Sequence, residues 1–247
     1  MIGMRLVILP SYNSGEQLLR TMVAARKHCG AVWVVVDGST DGSGERARSI
    51  GSDGFRVISL ARNAGKGGAV LHAFREAAAA GFSHALVMDA DGQHPAAAIP
   101  EFFEASQASP GALIAGKPVF GPDAPAERVK GRLVGNAFAS LETWGMGASD
   151  SLFGLRLYPL APSLKVLEST RGGRRFDFDT MMAVRLLWAG VPAINVPVRV
   201  SYPARSEGGV SHFRYVRDNL LLARVHARLC FEMLPRIPGL LSMRCRR

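Results

Sequence analysis

For its first 116 residues the chain alternates between short apolar runs and longer stretches with helical spacing, and few folds accept that rhythm. Residues 4–9 are an apolar run closed by Pro10. Residues 14–28 follow with Leu18, Leu19, Met22 and Val23 on one side of a helix. Residues 32–36 form a dense β-branched run of the kind buried on both faces of a sheet. Residues 43–50 read as helix, 55–60 as strand, 66–80 as an Ala-rich helix stopped by Gly81, 84–88 as strand, 96–107 as helix and 112–115 as strand. Strands alternating with helices make a parallel sheet with crossover connections. The predicted class is therefore α/β, a Rossmann-like, mostly parallel sheet flanked by helices.

Beyond residue 117 the rhythm breaks. Residues 118–126 read as a Pro/Gly loop, 127–144 as helix, 150–157 as strand and 177–189 as helix. Residues 191–200 read as a strand that Pro192 and Pro197 confine to an edge. A polar loop over 202–211 precedes a helix over 214–234. There is no repeat and no low-complexity tract. The expected organisation is one domain over residues 1–213, followed by a basic amphipathic helix and tail over 214–247.

In an open α/β sheet, ligands bind beyond the carboxyl ends of the strands. Here those ends are all polar or glycine-rich: Pro10-Ser11-Tyr12-Asn13, Asp37-Gly38-Ser39-Thr40-Asp41-Gly42, Arg62-Asn63-Ala64-Gly65-Lys66-Gly67-Gly68 and Asp89-Ala90-Asp91-Gly92-Gln93-His94-Pro95. The last places two carboxylates at the end of an apolar run. Buried unpaired acids are costly, so the pair needs a cation. A divalent metal holding a diphosphate suits it, because hard ions take carboxylate oxygens and leave positions for substrate phosphate. The plain alternative is an acidic turn, and the convergence of the other loops on the same edge argues against it. Other nucleotide chemistries fit poorly. The first loop lacks the Gly-x-Gly-x-x-Gly of a dinucleotide site, residues 65–68 lack the upstream glycine and the hydroxyl residue of a phosphate loop, and no serine-nucleophile elbow is present.

These loops, with Asp150-Ser151-Leu152-Phe153-Gly154-Leu155-Arg156 and Arg205-Ser206-Glu207-Gly208-Gly209-Val210-Ser211 further on, resemble in order and spacing the family 2 glycosyltransferases, above all the dolichol-phosphate mannose synthase and polyprenyl-phosphate glycosyltransferase branch. The resemblance runs over roughly residues 4–215. It implies a GT-A fold, a nucleotide-diphospho-sugar donor and a Mg²⁺ or Mn²⁺ ion. Asp37 then matches the acid that holds the nucleoside. Pro10, Tyr12, Asn13, Ser39 and Ala90 belong to the donor-facing loops. Asp89, Asp91 and Gln93 match the metal-binding positions. Lys66, at a helix start among glycines, is placed for a phosphate, against the plain alternative of a solvated first-turn lysine. Two positions depart from the family pattern. Val36 stands where a first acid is usual, and His212 follows Ser211 where lysine is usual. His212 can neutralise a departing diphosphate only when protonated.

The implied reaction is direct displacement at the anomeric carbon with inversion. A lipid-phosphate acceptor needs cations, whereas a hydroxyl acceptor needs a general base. Candidate phosphate clamps are Lys117, Arg128, Lys130, Arg132, Arg156 and Arg205. The segment Phe176-Asp177-Phe178-Asp179 resembles the family stretch whose acid faces the acceptor, so Asp179 is the first candidate base and Asp177 the second. Helix capping is the alternative for either.

Composition bears on where such an enzyme works. The 247 residues are 48% hydrophobic with a mean hydropathy of +0.11, enough for a sizeable core. The longest stretch free of Asp, Glu, Lys and Arg is only 13 residues, 186–198, short of the roughly 20 that a membrane span needs. No signal peptide is expected, and Cys29, Cys230 and Cys245 have no zinc or disulfide spacing, which points to a reducing cytoplasm. Of the net charge of +10, the stretch from Arg199 to Arg247 carries +7, with ten arginines, no lysine and three acids. On a helix, Arg214, Arg217, Leu221, Arg224 and Arg228 share one stripe. Val216, Leu220, Ala223, Ala227, Phe231 and Leu234 share another, which Leu222, Val225, Leu229 and Met233 widen. A broad apolar face beside a cationic stripe suits the inner face of the cytoplasmic membrane, and equally a helix packed on the sheet with its arginines in water. Expected partners are the sugar nucleotide, a lipid-linked acceptor, an anionic membrane surface and an integral membrane protein. Nucleic acid is not expected, since few aromatics lie between the arginines. The competing functions are a non-catalytic nucleotide-sugar-binding or scaffold module and a sugar nucleotidyltransferase.

Overall fold

The computed structural model describes residues 3–50, 54–121, 126–200 and 215–246. A seven-stranded sheet runs through it in the order β3-β2-β1-β4-β6-β5-β7. The strands are β1 (Met4–Ser11), β2 (Val32–Asp37), β3 (Phe55–Leu60), β4 (Phe82–Val87), β5 (Leu113–Phe120), β6 (Arg156–Pro159) and β7 (Ala193–Val200). All pairings are parallel except those of β6, which lies antiparallel between β4 and β5. The mostly parallel α/β sheet is the one read from the sequence.

Successive side chains of a strand point to opposite faces, and the central strands β1, β2 and β4 are apolar on both. Leu6 and Ile8 of β1, Trp33 and Val35 of β2, and Ala85 and Val87 of β4 join one core layer. That layer is closed by helices α3 (Lys66–Ala79), α6 (Leu160–Ser169) and α7 (Phe178–Trp188). Val7 and Leu9, Val32, Val34 and Val36, and Leu86 turn to the other layer, under α1 (Gly15–Arg26), α2 (Ser43–Ser49) and α4 (Ile99–Ala108). Residues 32–36 are buried throughout because helices cover both sides, which is what their β-branched composition called for.

Three elements differ from the sequence reading. Residues 150–155 do not continue a strand into β6. The Asp150 carboxylate accepts from the backbone N–H of Leu152 at 2.9 Å and turns the chain there. β5 runs on to Phe120, through what reads as a Pro/Gly loop, because β7 pairs with it in parallel as far as Phe120 opposite Val200. Helix α6 has no counterpart in the sequence reading. Its Pro162 falls in the first turn, where a missing N–H costs nothing. β7 is an edge strand, as its prolines demand.

The remaining helices are α5 (Ala126–Glu142), α8 (Tyr215–Met233) and α9 (Ile237–Cys245). α8 lies on α5 and α7: Leu229 packs with Ala139 and Val184, and Met233 with Met146, Leu187 and Leu240. Its buried His226 places Nδ1 2.9 Å from Glu142 Oε1. The packing uses the Val225–Leu229–Met233 side and leaves Leu220, Phe231 and Leu234 exposed.

Candidate active site

The loops after β1 and β2 are fastened to each other. Asn13 adopts a left-handed backbone (φ 49°). Its N–H donates to Ser39 Oγ at 3.0 Å, and its side-chain carbonyl accepts from the N–H of Thr40 at 2.8 Å. Asp41 accepts from Gly15 N–H and from Ser43. Tyr12 is exposed and Pro10 half-buried beside this seam. Asp37, the last residue of β2, is buried. Its two oxygens accept from the N–H groups of Ala64 (2.7 Å) and Gly65 (2.9 Å), stitching β2 to the loop that opens α3. Each oxygen retains a further lone pair.

At the centre, the Lys66 ammonium lies between two carboxylates, 2.7 Å from Asp89 Oδ1 and 2.6 Å from Asp179 Oδ2. Burial alone would lower the lysine's pKa, but the charges of Asp179 and Asp89 override it and hold the ammonium above its ordinary value. Burial pushes Asp89 up, and Lys66 and His94 more than reverse that, so Asp89 stays ionised well below the usual carboxylate range. Asp179 goes the other way: burial dominates, and Lys66 and Arg156 offset it only in part, so its pKa is raised. Its second oxygen, Oδ1, is buried without a hydrogen-bond partner. Beneath it, fully buried Arg156 donates to the backbone carbonyl of Asp179 and, at 3.0 Å, to that of Asp150. Gly154 closes the floor. A Cβ there would lie 2.8 Å from both Asp89 Cγ and Lys66 Nζ, so no side chain fits.

Asp91, two residues beyond Asp89, is half-buried. Burial raises its pKa, and among the described residues no cation pairs with it. It accepts only from the N–H of Gln93, at 3.0 Å. Two carboxylates and an amide oxygen are a hard-oxygen donor set for Mg²⁺ or Mn²⁺. Among the described residues no three His, Cys, Asp or Glu side chains form a closed cage, so such an ion would need substrate oxygens to complete its shell. Ala90, between the acids, is buried in the core.

The model of the family described as "Glycosyl transferase family 2" matches residues 6–162, well over half of the chain. The chain belongs to glycosyl transferase family 2. Polyprenol monophosphomannose synthase of Mycolicibacterium smegmatis is similar to this glycosyltransferase, with 28% identity over 203 residues that cover 78% of this chain and 76% of that protein. The crystal structure of S. aureus TarS residues 1–349 in complex with UDP-GlcNAc shares its fold, with a TM-score of 0.55 at 16% identity, over 91% of this chain and 66% of that one. The seven-stranded sheet is thus of the GT-A kind.

In this family 2 glycosyltransferase the sequence-derived candidates fall into three groups. Lys66, Asp89 and Asp179 are in direct contact, Asp91 and Gln93 follow Asp89 in the same loop, and Asp37 holds the N–H of Gly65 beside Lys66. Arg132 and Arg156 are engaged elsewhere. Arg132 donates to Asp150 Oδ1 at 2.9 Å and lies over the rings of Phe120 and Phe153, and Arg156 is the pin under Asp179. Asp177 precedes α7 and its backbone carbonyl accepts from Met181 N–H at 3.0 Å, yet its side chain makes no capping hydrogen bond into the first turn. It accepts instead from the N–H groups of Gly173 (2.8 Å) and Arg175 (2.9 Å). Arg205, Ser211 and His212 lie outside the described residues. Three features escape the sequence reading. His94, whose Nε2 lies 3.4 Å from Asp89 Oδ2 with its ring against Phe153, was written in the motif without a role. Gly154 looks like any motif glycine until its neighbours are known. The run Arg171-Gly172-Gly173-Arg174-Arg175, whose charge and glycines were the available signal, lies across the start of α3: Gly68 N–H donates to Arg174 O at 3.3 Å, and a Cβ on Gly67 would lie 2.9 Å from Gly173 C.

Proposed function

We propose that this family 2 glycosyltransferase moves a sugar, with inversion, from a nucleotide-diphospho-sugar to a lipid-linked acceptor, a polyprenyl phosphate or a glycolipid hydroxyl, and that it does so at a membrane surface with Mg²⁺ or Mn²⁺. The observation that carries the reading is the Asp89–Lys66–Asp179 bridge. It joins the end of β4, where the donor's diphosphate belongs in a sheet of this kind, to a buried acid on a different helix that has one unpartnered oxygen.

Asp89, Asp91 and Gln93 would hold the metal, which when bound supplies charge neutralisation on the leaving diphosphate. The chain's own residues supply the rest. Lys66 adds a fixed positive charge beside the leaving group. Asp37 and the interlocked loops of Asn13 and Ser39 shape the nucleoside side, with half-buried Pro10 and exposed Tyr12 at its rim. Asp179, oriented through its backbone by Arg156 and through its carboxylate by Lys66, accepts the proton of a hydroxyl acceptor at Oδ1. With a phosphate acceptor, already anionic, it serves only to orient.

The lipid acceptor is supported by the similarity to a polyprenol monophosphomannose synthase and by an apolar surface. Leu133, Val134, Phe138 and Leu141 on α5 and Leu220 and Phe231 on α8, with Leu234 just beyond it, are exposed on two helices that pack together. Arg224, Arg228 and Arg236 stand exposed on or just beyond the same helix. Basic residues near an anionic bilayer contribute about 1 kcal/mol each. Among the described residues no helix is long and apolar enough to cross a membrane, so attachment through these faces makes the enzyme peripheral, alone or beside an integral partner.

The test is turnover of nucleotide sugars with lipid acceptors, with and without Mn²⁺, in the full chain and in Asp179→Asn. Metal-dependent transfer to a lipid is expected. The variant should lose about a hundredfold or more in kcat on hydroxyl acceptors while it melts at the wild-type temperature. Absence of transfer to any lipid, or full activity in Asp179→Asn on a hydroxyl acceptor, overturns the reading in its respective part.

A further inference from the structure

The run of residues 171–175 has two fixed ends and, among the described residues, two cations without an acceptor. At one end it is pressed on the start of α3. A Cβ on Gly65 would lie 2.9 Å from Arg175 Cγ, and a Cβ on Gly67 would lie 3.0 Å from Arg174 Cα. The Arg175 side chain therefore passes directly over the residue that precedes Lys66. At the other end Arg228 of α8 donates to the backbone carbonyl of Arg171. Between the ends the chain turns through two left-handed glycines, Gly172 (φ 108°) and Gly173 (φ 66°), and Asp177 holds the N–H groups of Gly173 and Arg175. The backbone is thus tied down along its length, while Arg171 and Arg175 are exposed and, among the described residues, their guanidinium groups have no acceptor. Arg174 differs. It is half-buried and donates to Leu167 O at 3.3 Å, with Nη1 unpartnered.

A rigid backbone carrying unpaired guanidinium groups is a means of holding an anion, since arginine's fork matches phosphate oxygens two at a time. Its position says which anion. One end reaches the Lys66 turn in the cleft, and the other touches α8, whose exposed flank carries Leu220 and Phe231. The diphosphate of the donor belongs at Asp89 and Asp91, across Lys66. A lipid phosphate that reached Asp179 from the α8 side would pass the arginines.

We propose that residues 171–175 form the recognition strap for the phosphate of a lipid phosphate monoester, with Arg171 and Arg175 as its binding side chains. The inference rests on the lipid-acceptor reading above and selects the phosphate, not the hydroxyl, acceptor. Backbone atoms fix the strap, so replacing its exposed side chains leaves the fold intact.

The experiment uses the full chain and Arg171→Gln, Arg175→Gln and the double variant. Binding of a short-chain polyprenyl phosphate is measured by calorimetry without donor, and KM is measured for donor and acceptor separately. Each removed charge-assisted contact is expected to weaken lipid-phosphate binding about ten- to a hundredfold. Arg175→Lys should recover part of the loss, the donor KM should stay put, and melting temperatures should match the wild type. If transfer to lipid phosphate proceeds in the double variant with an unchanged acceptor KM, the strap assignment is wrong and the lipid reading stands. A rise in donor KM instead assigns the strap to the diphosphate and overturns the proposal. If the wild type binds no lipid phosphate yet glycosylates a lipid hydroxyl, the proposal also falls. If it glycosylates no lipid, the parent reading falls with it.

Discussion

Lys66 has two acids to satisfy and one ammonium, and that imbalance organises the cleft. The lysine keeps Asp89 ionised. Burial raises the pKa of Asp179, which Lys66 offsets only in part, and one of its oxygens stays without a hydrogen-bond partner. Gly154 is what permits the arrangement, because any Cβ would push Asp89 and Lys66 apart. Gly154→Ala is therefore expected to cut kcat/KM about a hundredfold, the usual effect of displacing a reacting constellation by around 1 Å, and to lower the melting temperature. Steady-state kinetics with thermal melting checks this, and wild-type kinetics in the variant would show that the cleft tolerates the methyl. The motifs single out the acids of residues 89–91, Lys66 and Asp179, and the structure brings Lys66, Asp89 and Asp179 together. Their mutual contact was not legible in the sequence, since Lys66 and Asp179 are 113 positions apart and nothing in either motif mentions the other. Arg156 was misplaced for a related reason. An arginine in a motif looks like a phosphate clamp until its burial is known.

Among the elements, α5 and α8 hold the clearest conflict between packing and solvent. Both bury one side, through Ala139, Val225, Leu229 and Met233, and both leave large apolar side chains in water, with Phe231 75% and Leu133 63% exposed. Exposed apolar side chains on two packed helices suit the membrane attachment proposed above. Leu133→Glu with Phe231→Glu should abolish flotation with anionic vesicles while melting temperature and turnover of a detergent-solubilised acceptor stay unchanged. Vesicle binding that survives both changes would assign attachment to another surface. The sequence of α8 allows both a packed helix and an interfacial one; the helix packs through Val225, Leu229 and Met233 and keeps Leu220 and Phe231 exposed. Helix α6 went unread because Pro162 reads as a breaker, though in a first turn it removes only an N–H that has no partner. The reversed direction of β6 was equally hidden, since four residues carry no signal of parallel or antiparallel pairing.

For the molecule as a whole, acid is the expected weakness. His84 is buried at the start of β4, with Nε2 2.8 Å from Pro110 O, and burial holds its pKa below the ordinary value. Above about pH 6.5, the value for an unfolded chain, the ring is neutral in both states. As pH falls below that, the unfolded chain binds a proton that the folded one refuses, so stability declines with acidification. Melting temperatures at pH 7.5 and 5.5 should show the drop, and His84→Gln should flatten it; an equal drop in that variant assigns the effect to other groups. The placement of β6 has a different consequence, one in time. Strands β1 to β4 can pair as soon as they leave the ribosome. β5 cannot join them, because its neighbours in the sheet are β6 and β7 alone. From Phe120 to Pro159 the nascent chain therefore carries an unattached apolar strand beside the open edge of β4, an interval on the order of a few seconds at typical elongation rates. In that interval a holding chaperone has the most to do.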